Sequence, residues 1–213
     1  MNKLLYLILI FFFSIFLFAE EPYYFNYRFS NRCSEWVAYW VDISNINDNS
    51  PRVSCKFVPH PDYPGSPSQD ELKLEDHDKG HCCSDKDMSA SPEKRKKTYY
   101  TVNIMLQHFI LNRGSWKALE YQIRKLARSG EKPFVVCGPV FYIEPKRNLY
   151  DVAIPDACFK VMYSNDKWNA WLFPNNCSAR GPPSKFAVNI DLLESMTDLN
   201  FKQIYSECQK KKQ

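Results

Sequence analysis

The chain carries little net charge: 28 lysines and arginines stand against 24 acidic residues, a balance of +4 over 213 residues. That excludes a histone-like protein holding nucleic acid by bulk electrostatics, though it leaves room for a local basic cleft. No internal repeat and no long low-complexity tract breaks the sequence. Histidine is scarce, with His60, His77, His81 and His108 the only four. One long hydrophobic run is present, over residues 4–18. It is shorter than the ~20 residues that cross a bilayer. With Lys3 before it and Ala19 ahead of Glu20-Glu21, residues 1–19 read as a secretory signal removed near Ala19. The remainder, 20–213, suits one sizeable domain. It is expected outside the cell and free of the membrane once the signal is cleaved. Its balance is then 27 basic against 24 acidic residues.

All eight cysteines lie beyond the signal. An even count in a secreted chain points to disulfides, although the pairing is not readable from order alone. Position suggests Cys33 with Cys55 across a hairpin, and Cys177 with Cys208 near the end. Asn176-Cys177-Ser178 is a glycosylation sequon.

Residues 36–43 are aromatic and β-branched and read as a buried strand, returning after a polar turn as a second strand over 52–58. Four prolines over 59–67 exclude regular structure there. Residues 84–97 are polar and end in Lys94-Arg95-Lys96-Lys97, read as a solvated loop or, less simply, a phosphate contact. The tail Lys210-Lys211-Lys212 reads the same way. The clearest helix is 114–128, with Trp116, Leu119, Ile123 and Leu126 on one apolar stripe. Further strands are expected over 135–137, 152–154, 159–163, 170–173 and 187–190, then a short helix 191–197 capped by Asp191. Strands dominate, so the expected class is α+β around a mostly antiparallel sheet.

Chemistry concentrates in Asp78-Lys79-Gly80-His81, in Asn112, and in Glu120 eight residues further on. Together they supply a general base, a neutral oxygen ligand and a carboxylate, which suits metal-assisted phosphodiester hydrolysis. A histidine near pKa 6.5 can activate water, and Gly80 permits close backbone approach beside it. A continuous helix would set Glu120 about 12 Å along the axis from Asn112, leaning back toward it. The plainer readings are a structural histidine for His81, a helix cap for Asn112 and a surface pair with Arg124 for Glu120. A zinc cluster of His77, His81, Cys82 and Cys83 is disfavoured by the adjacent cysteines and by Gly80.

Asn112 lies in Leu111-Asn112-Arg113-Gly114-Ser115-Trp116, Glu120 follows Leu119, and Val136-Cys137-Gly138-Pro139 lies downstream. In this order the segments resemble the DNA/RNA non-specific endonuclease family of the ββα-metal superfamily. Its pattern reads Asp-Arg-Gly-His, Ser-Asn-Ile-x-Pro-Gln, Leu-Asn-x-Gly-x-Trp-x-x-Leu-Glu and Val-x-Gly-Pro. The resemblance implies a ββα-metal motif and a magnesium-dependent endonuclease, with manganese able to replace magnesium, that leaves 5′-phosphates. Its substrates would be DNA and RNA held through backbone phosphates. It makes His81 the base and Asn112 the direct metal ligand, with Glu120 acting through water. Arg52, Lys79 and Arg124 become phosphate contacts, and Asn103 matches the second family asparagine. Lys79 departs from the family arginine and loses its planar fork. Met105-Leu106 and Cys82-Cys83-Ser84 depart too. These departures keep open a non-catalytic nucleic-acid-binding or interaction protein on the same scaffold.

Overall fold

The computed structural model describes residues 21–51 and 54–212, so the apolar run, its expected cleavage point and Arg52 lie outside the described residues. β1 (Tyr24–Arg28) pairs antiparallel with β2 (Cys33–Trp40). The strand expected over 36–43 therefore starts earlier and stops at Trp40. The chain then turns through a single 3-10 turn, Ile43–Asn45, capped by the Asp42 carboxylate. No return strand forms over 54–57, and Val58 makes only a bridge to Tyr100. Both edges of β2 are already occupied, by β1 and by a later strand, so the expected hairpin partner has no edge to join.

A separate two-stranded pair comes next, β3 (His77–His81) with β4 (Ile104–His108). Between them α1 (Pro92–Lys97) replaces the expected solvated loop. The Ser91 hydroxyl caps α1. Arg95 of the basic run is buried, and its guanidinium donates to Asp85 at 2.8 and 3.2 Å. After β4 come α2 (Phe109–Leu111), a π-helical turn Asn112–Trp116, and α3 (Lys117–Arg128). The helix expected over 114–128 is thus interrupted at its start, where Gly114 leaves the helical region at φ −104° and ψ −110°.

The chain continues through β5 (Phe134–Val140), the small pair β6 (Lys146–Arg147) and β7 (Ala153–Ile154), β8 (Ala157–Ser164), β9 (Lys167–Pro174) and β10 (Ala187–Val188). It ends in α4 (Ile190–Thr197) and α5 (Phe201–Lys212). Asn189 caps α4, accepting from the Asp191 amide, where Asp191 itself was expected to be the cap. The six-stranded sheet runs β1-β2-β5-β8-β9-β10, antiparallel throughout. The class expected from sequence, α+β on an antiparallel sheet, is the one observed.

Period-2 alternation divides the sheet's side chains between two layers. Val37, Val135, Cys137 and Cys158 meet Leu119, Ile123 and Ala127 of α3. Ala38, Val136, Phe159 and Val161 meet Leu193 of α4 and Phe201 and Ile204 of α5. Continuous apolar strands such as 134–137 are required because both faces are covered. Among the described residues no helix is long and apolar enough to cross a membrane.

None of the eight cysteines forms a disulfide in this structure. Cys33 lines a cavity beside Arg28 and Met196, whereas Cys55 lines a different cleft beside Phe57 and His81. Cys208 is buried on the core-facing side of α5 while Cys177 is exposed. Neither expected pair meets. The buried thiols act as small apolar fillers, and burial pushes Cys33 and Cys158 up to about 12.

Candidate active site

β3, the π-turn and α3 border a cleft of about 1290 Å³ that His81, Lys79, Asn112, Glu120 and Arg124 all line. The ββα order that creates it is β3, β4 and the helical stretch from Phe109 to Arg128. On β3, His77, Lys79 and His81 share a face by alternation, and all three line the cleft.

His81 ends β3, its ring centroid 5.4 Å from that of Phe57 and 5.0 Å from that of Tyr99. Its Nε2 is enclosed with no hydrogen-bond partner, so Nδ1 is the nitrogen left to meet a water in the cleft. Burial drives the imidazole down to about 4, partly opposed by the Asp85 carboxylate. The ring is therefore neutral, and able to accept a proton, at any pH near 7. Asp85 is itself anchored by Arg95 and by the Tyr99 hydroxyl.

Gly80 does what its position suggested. A Cβ there would overlap the side chain of Gln107, the fully buried neighbour on β4. Gly80→Ala is expected to cost about 1–3 kcal/mol of stability, since the fully buried Gln107 side chain must shift to admit the methyl group. A denaturant midpoint equal to the parent's would show that the contact yields freely.

Asn112 is helical, at φ −58° and ψ −46°; it closes α2 and is not the N-cap of α3 that its position suggested. Its amide nitrogen donates instead to Asp78 Oδ2 at 2.9 Å, and Arg113 grips the same carboxylate at 2.6 and 2.8 Å. Burial opposes ionisation of Asp78, but these donors hold its carboxyl below the usual range. With the NH₂ edge fixed, the amide oxygen of Asn112 is the free end. This is a hard neutral ligand suited to a divalent cation that keeps most of its waters.

Glu120 retains 11% of its side-chain exposure. Burial raises its carboxyl, opposed by Lys160 with Nζ 3.6 Å from Oε1 and by Arg124 at 4.0 Å. Because a π-turn intervenes, the regular-helix spacing between Asn112 and Glu120 does not apply, yet both still reach one cleft. An amide oxygen and a largely buried carboxylate lining one cleft fit a hydrated divalent cation, which the carboxylate would reach through the ion's waters.

Two expected roles change. Arg124 is buried and bonds to Asp87 at 2.7 Å, so it braces the acidic groups behind the cleft and is not free to clamp a phosphate. Asn103 is fully buried and does not line the cleft. Its oxygen accepts from the Cys83 amide, and its nitrogen donates to the carbonyls of Cys83 and Thr98. It fixes the turn that follows His81, which makes it a positioning residue. Cys82 and Cys83 join the core and do not gather with His77 and His81.

Arg113, Asp85, Asp87 and Lys160 carried no role in the sequence pattern, and Arg95, expected in a solvated loop or on a phosphate, is instead bound to Asp85. One signal was available: Lys160 sits in Cys158-Phe159-Lys160-Val161-Met162, and a lysine inside a buried strand rarely lacks a purpose.

A family model described as DNA/RNA non-specific endonuclease matches residues 18–206. The human mitochondrial nuclease EXOG is 25% identical over 198 residues, 83% of this chain and 54% of that protein. A nuclease of Nostoc sp. is 24% identical over 205 residues, covering 87% and 73%. The chain spans just over half the length of the human and Xenopus laevis EXOG proteins it matches. A solved structure of the EndoG/EndoGI complex, concerned with EndoG inhibition, has the same fold. Its TM-score is 0.71 at 23% identity, over 85% of this chain and 84% of that one. This chain belongs to the DNA/RNA non-specific endonuclease family.

Proposed function

We propose that this chain is an exported, magnesium-dependent endonuclease that hydrolyses phosphodiester bonds of DNA and RNA with little sequence preference, leaving 5′-phosphates. One observation carries the reading: the partner-free His81 ring and Asn112, with its amide nitrogen tied to Asp78, line the same cleft. Nδ1 of His81 would take a proton from water attacking phosphorus, with Nε2 carrying the ring hydrogen. Lys79 and the exposed Lys117, both lining the cleft, would bind backbone phosphates, a mode indifferent to base sequence. Asn112, and through water Glu120, would hold a divalent cation, which would supply charge neutralisation at the phosphate and the departing oxygen. Manganese would substitute, since the donors are all oxygen.

The test is digestion of plasmid DNA and of structured RNA by the full chain, with and without EDTA. EDTA-sensitive cleavage of both polymers is expected, and cleavage of neither would overturn the reading. The pH profile is a second check. A base lowered to about 4 stays deprotonated far below the usual histidine range of ~6.5. The acid limb of kcat/KM is therefore expected well below pH 6, with activity at pH 5.5 close to that at pH 7. A limb centred at 6.5 or higher would contradict the burial argument for His81.

A further inference from the structure

Lys160 lies on β8 with its side chain on the α3 face, by alternation with Cys158 and Met162. It is fully buried. Its ammonium has no hydrogen-bond partner, sits 3.9 Å from the Trp116 ring centroid, and stands 3.6 Å from Glu120 Oε1. A buried ammonium short of hydrogen bonds is costly, so it is held by charge and by the ring beneath it. Its effect is to cancel the charge of Glu120 from behind.

The same cancellation recurs around the cleft. Asp78 is paired with Arg113, Asp85 with Arg95, and Asp87, behind the wall, with Arg124. Among the described residues six basic side chains line the cleft against three acidic ones, before Lys160 is counted. A lone divalent cation meets a site with no surplus negative charge. A nucleic-acid phosphate brings what is missing.

We propose that Lys160 is a charge-setting, positioning residue that makes cation binding at Asn112 and Glu120 conditional on a bound nucleic-acid phosphate. The inference rests on the nuclease reading and adds an order to it: cation and phosphate bind together, each strengthening the other. Metal alone then occupies the free protein poorly, and a chain meeting no nucleic acid stays largely unloaded.

The experiment titrates Mn²⁺ by electron paramagnetic resonance into the full-length His81→Ala protein, with and without a short DNA oligonucleotide, taking His81→Ala/Asn112→Ala as background. With Lys160 in place, the oligonucleotide is expected to tighten Mn²⁺ binding about tenfold or more. Adding Lys160→Met to His81→Ala is expected to tighten Mn²⁺ binding to the DNA-free protein by a similar factor and to shrink the oligonucleotide's effect. Lys160→Arg, which keeps the charge, retains the coupling. Equal affinity with and without DNA, or Lys160→Met binding metal no more tightly, overturns the proposal. The oligonucleotide comparison needs no lysine variant, so it stands even if Lys160→Met does not fold. Failure of the nuclease reading looks different: the His81→Ala protein does not bind the oligonucleotide, or the parent lacks EDTA-sensitive cleavage.

Discussion

His81→Ala is expected to lower kcat by about 10²–10⁴-fold while oligonucleotide binding changes little, because proton transfer by a positioned side chain is worth roughly that much. The separation of kcat from binding follows from where the ring sits. It touches Phe57 and Tyr99 and makes no hydrogen bond, so its loss breaks no polar network. The charges that would meet phosphate belong to other residues, among them Lys79 and Lys117. A phosphodiester repels anionic nucleophiles, and water at neutral pH is a weak one. A neutral imidazole can take the proton without first having to lose one. Single-turnover cleavage of a labelled oligonucleotide, beside its binding isotherm, separates the two effects. A variant that cleaves at the parental rate would move the base elsewhere, and His77, which lines the same cleft, would be next to test.

How much of this was legible beforehand depends on which physical signal each feature leaves in the sequence. The sheet class was readable because both faces are covered, and strands such as 134–140 show the apolar runs that burial demands. Gly80 and His81 were readable because their neighbours in sequence carry the meaning. The strand containing His81 was not: His77–His81 is a charged pentapeptide that forms a strand only because β4 lies alongside it. The hairpin expected at 52–58 failed because hydrophobic pattern cannot reveal which sheet edges are already taken. Arg95 and Arg124 misled for a related reason. A guanidinium bound to phosphate and one bound to a buried carboxylate look alike in sequence, and only the positions of Asp85 and Asp87 decide between them. The disulfide expectation rested on compartment chemistry. Six of the eight thiols are instead placed by packing in the interior.

Asn112→Ala is expected to reduce cation-dependent cleavage at least about 100-fold, more than the 10–100-fold that loss of an outer-shell partner typically costs. Among the described residues, alanine removes the one neutral side-chain oxygen that the stretch from the π-turn through α3 offers to the cleft beside Glu120. It also strips Asp78 of one of its three donor contacts, leaving Arg113 to hold it alone. Asn112→Asp separates these contributions. It restores an oxygen, and with a negative charge, but sets a carboxylate where an NH₂ now donates to Asp78 at 2.9 Å. Two carboxylates at that distance repel, so the new side chain either turns from the cleft or shares a proton with Asp78. The aspartate variant is therefore expected to stay impaired, despite carrying what looks like a better cation ligand. Asp78→Asn in the Asn112→Asp background relieves that repulsion and is expected to recover part of the activity. Cleavage rates measured across a Mg²⁺ series, with calorimetric titration of the same proteins, report whether cation affinity or turnover is lost. Full activity in Asn112→Asp alone would mean that the Asp78–Asn112 bond does not orient the ligand.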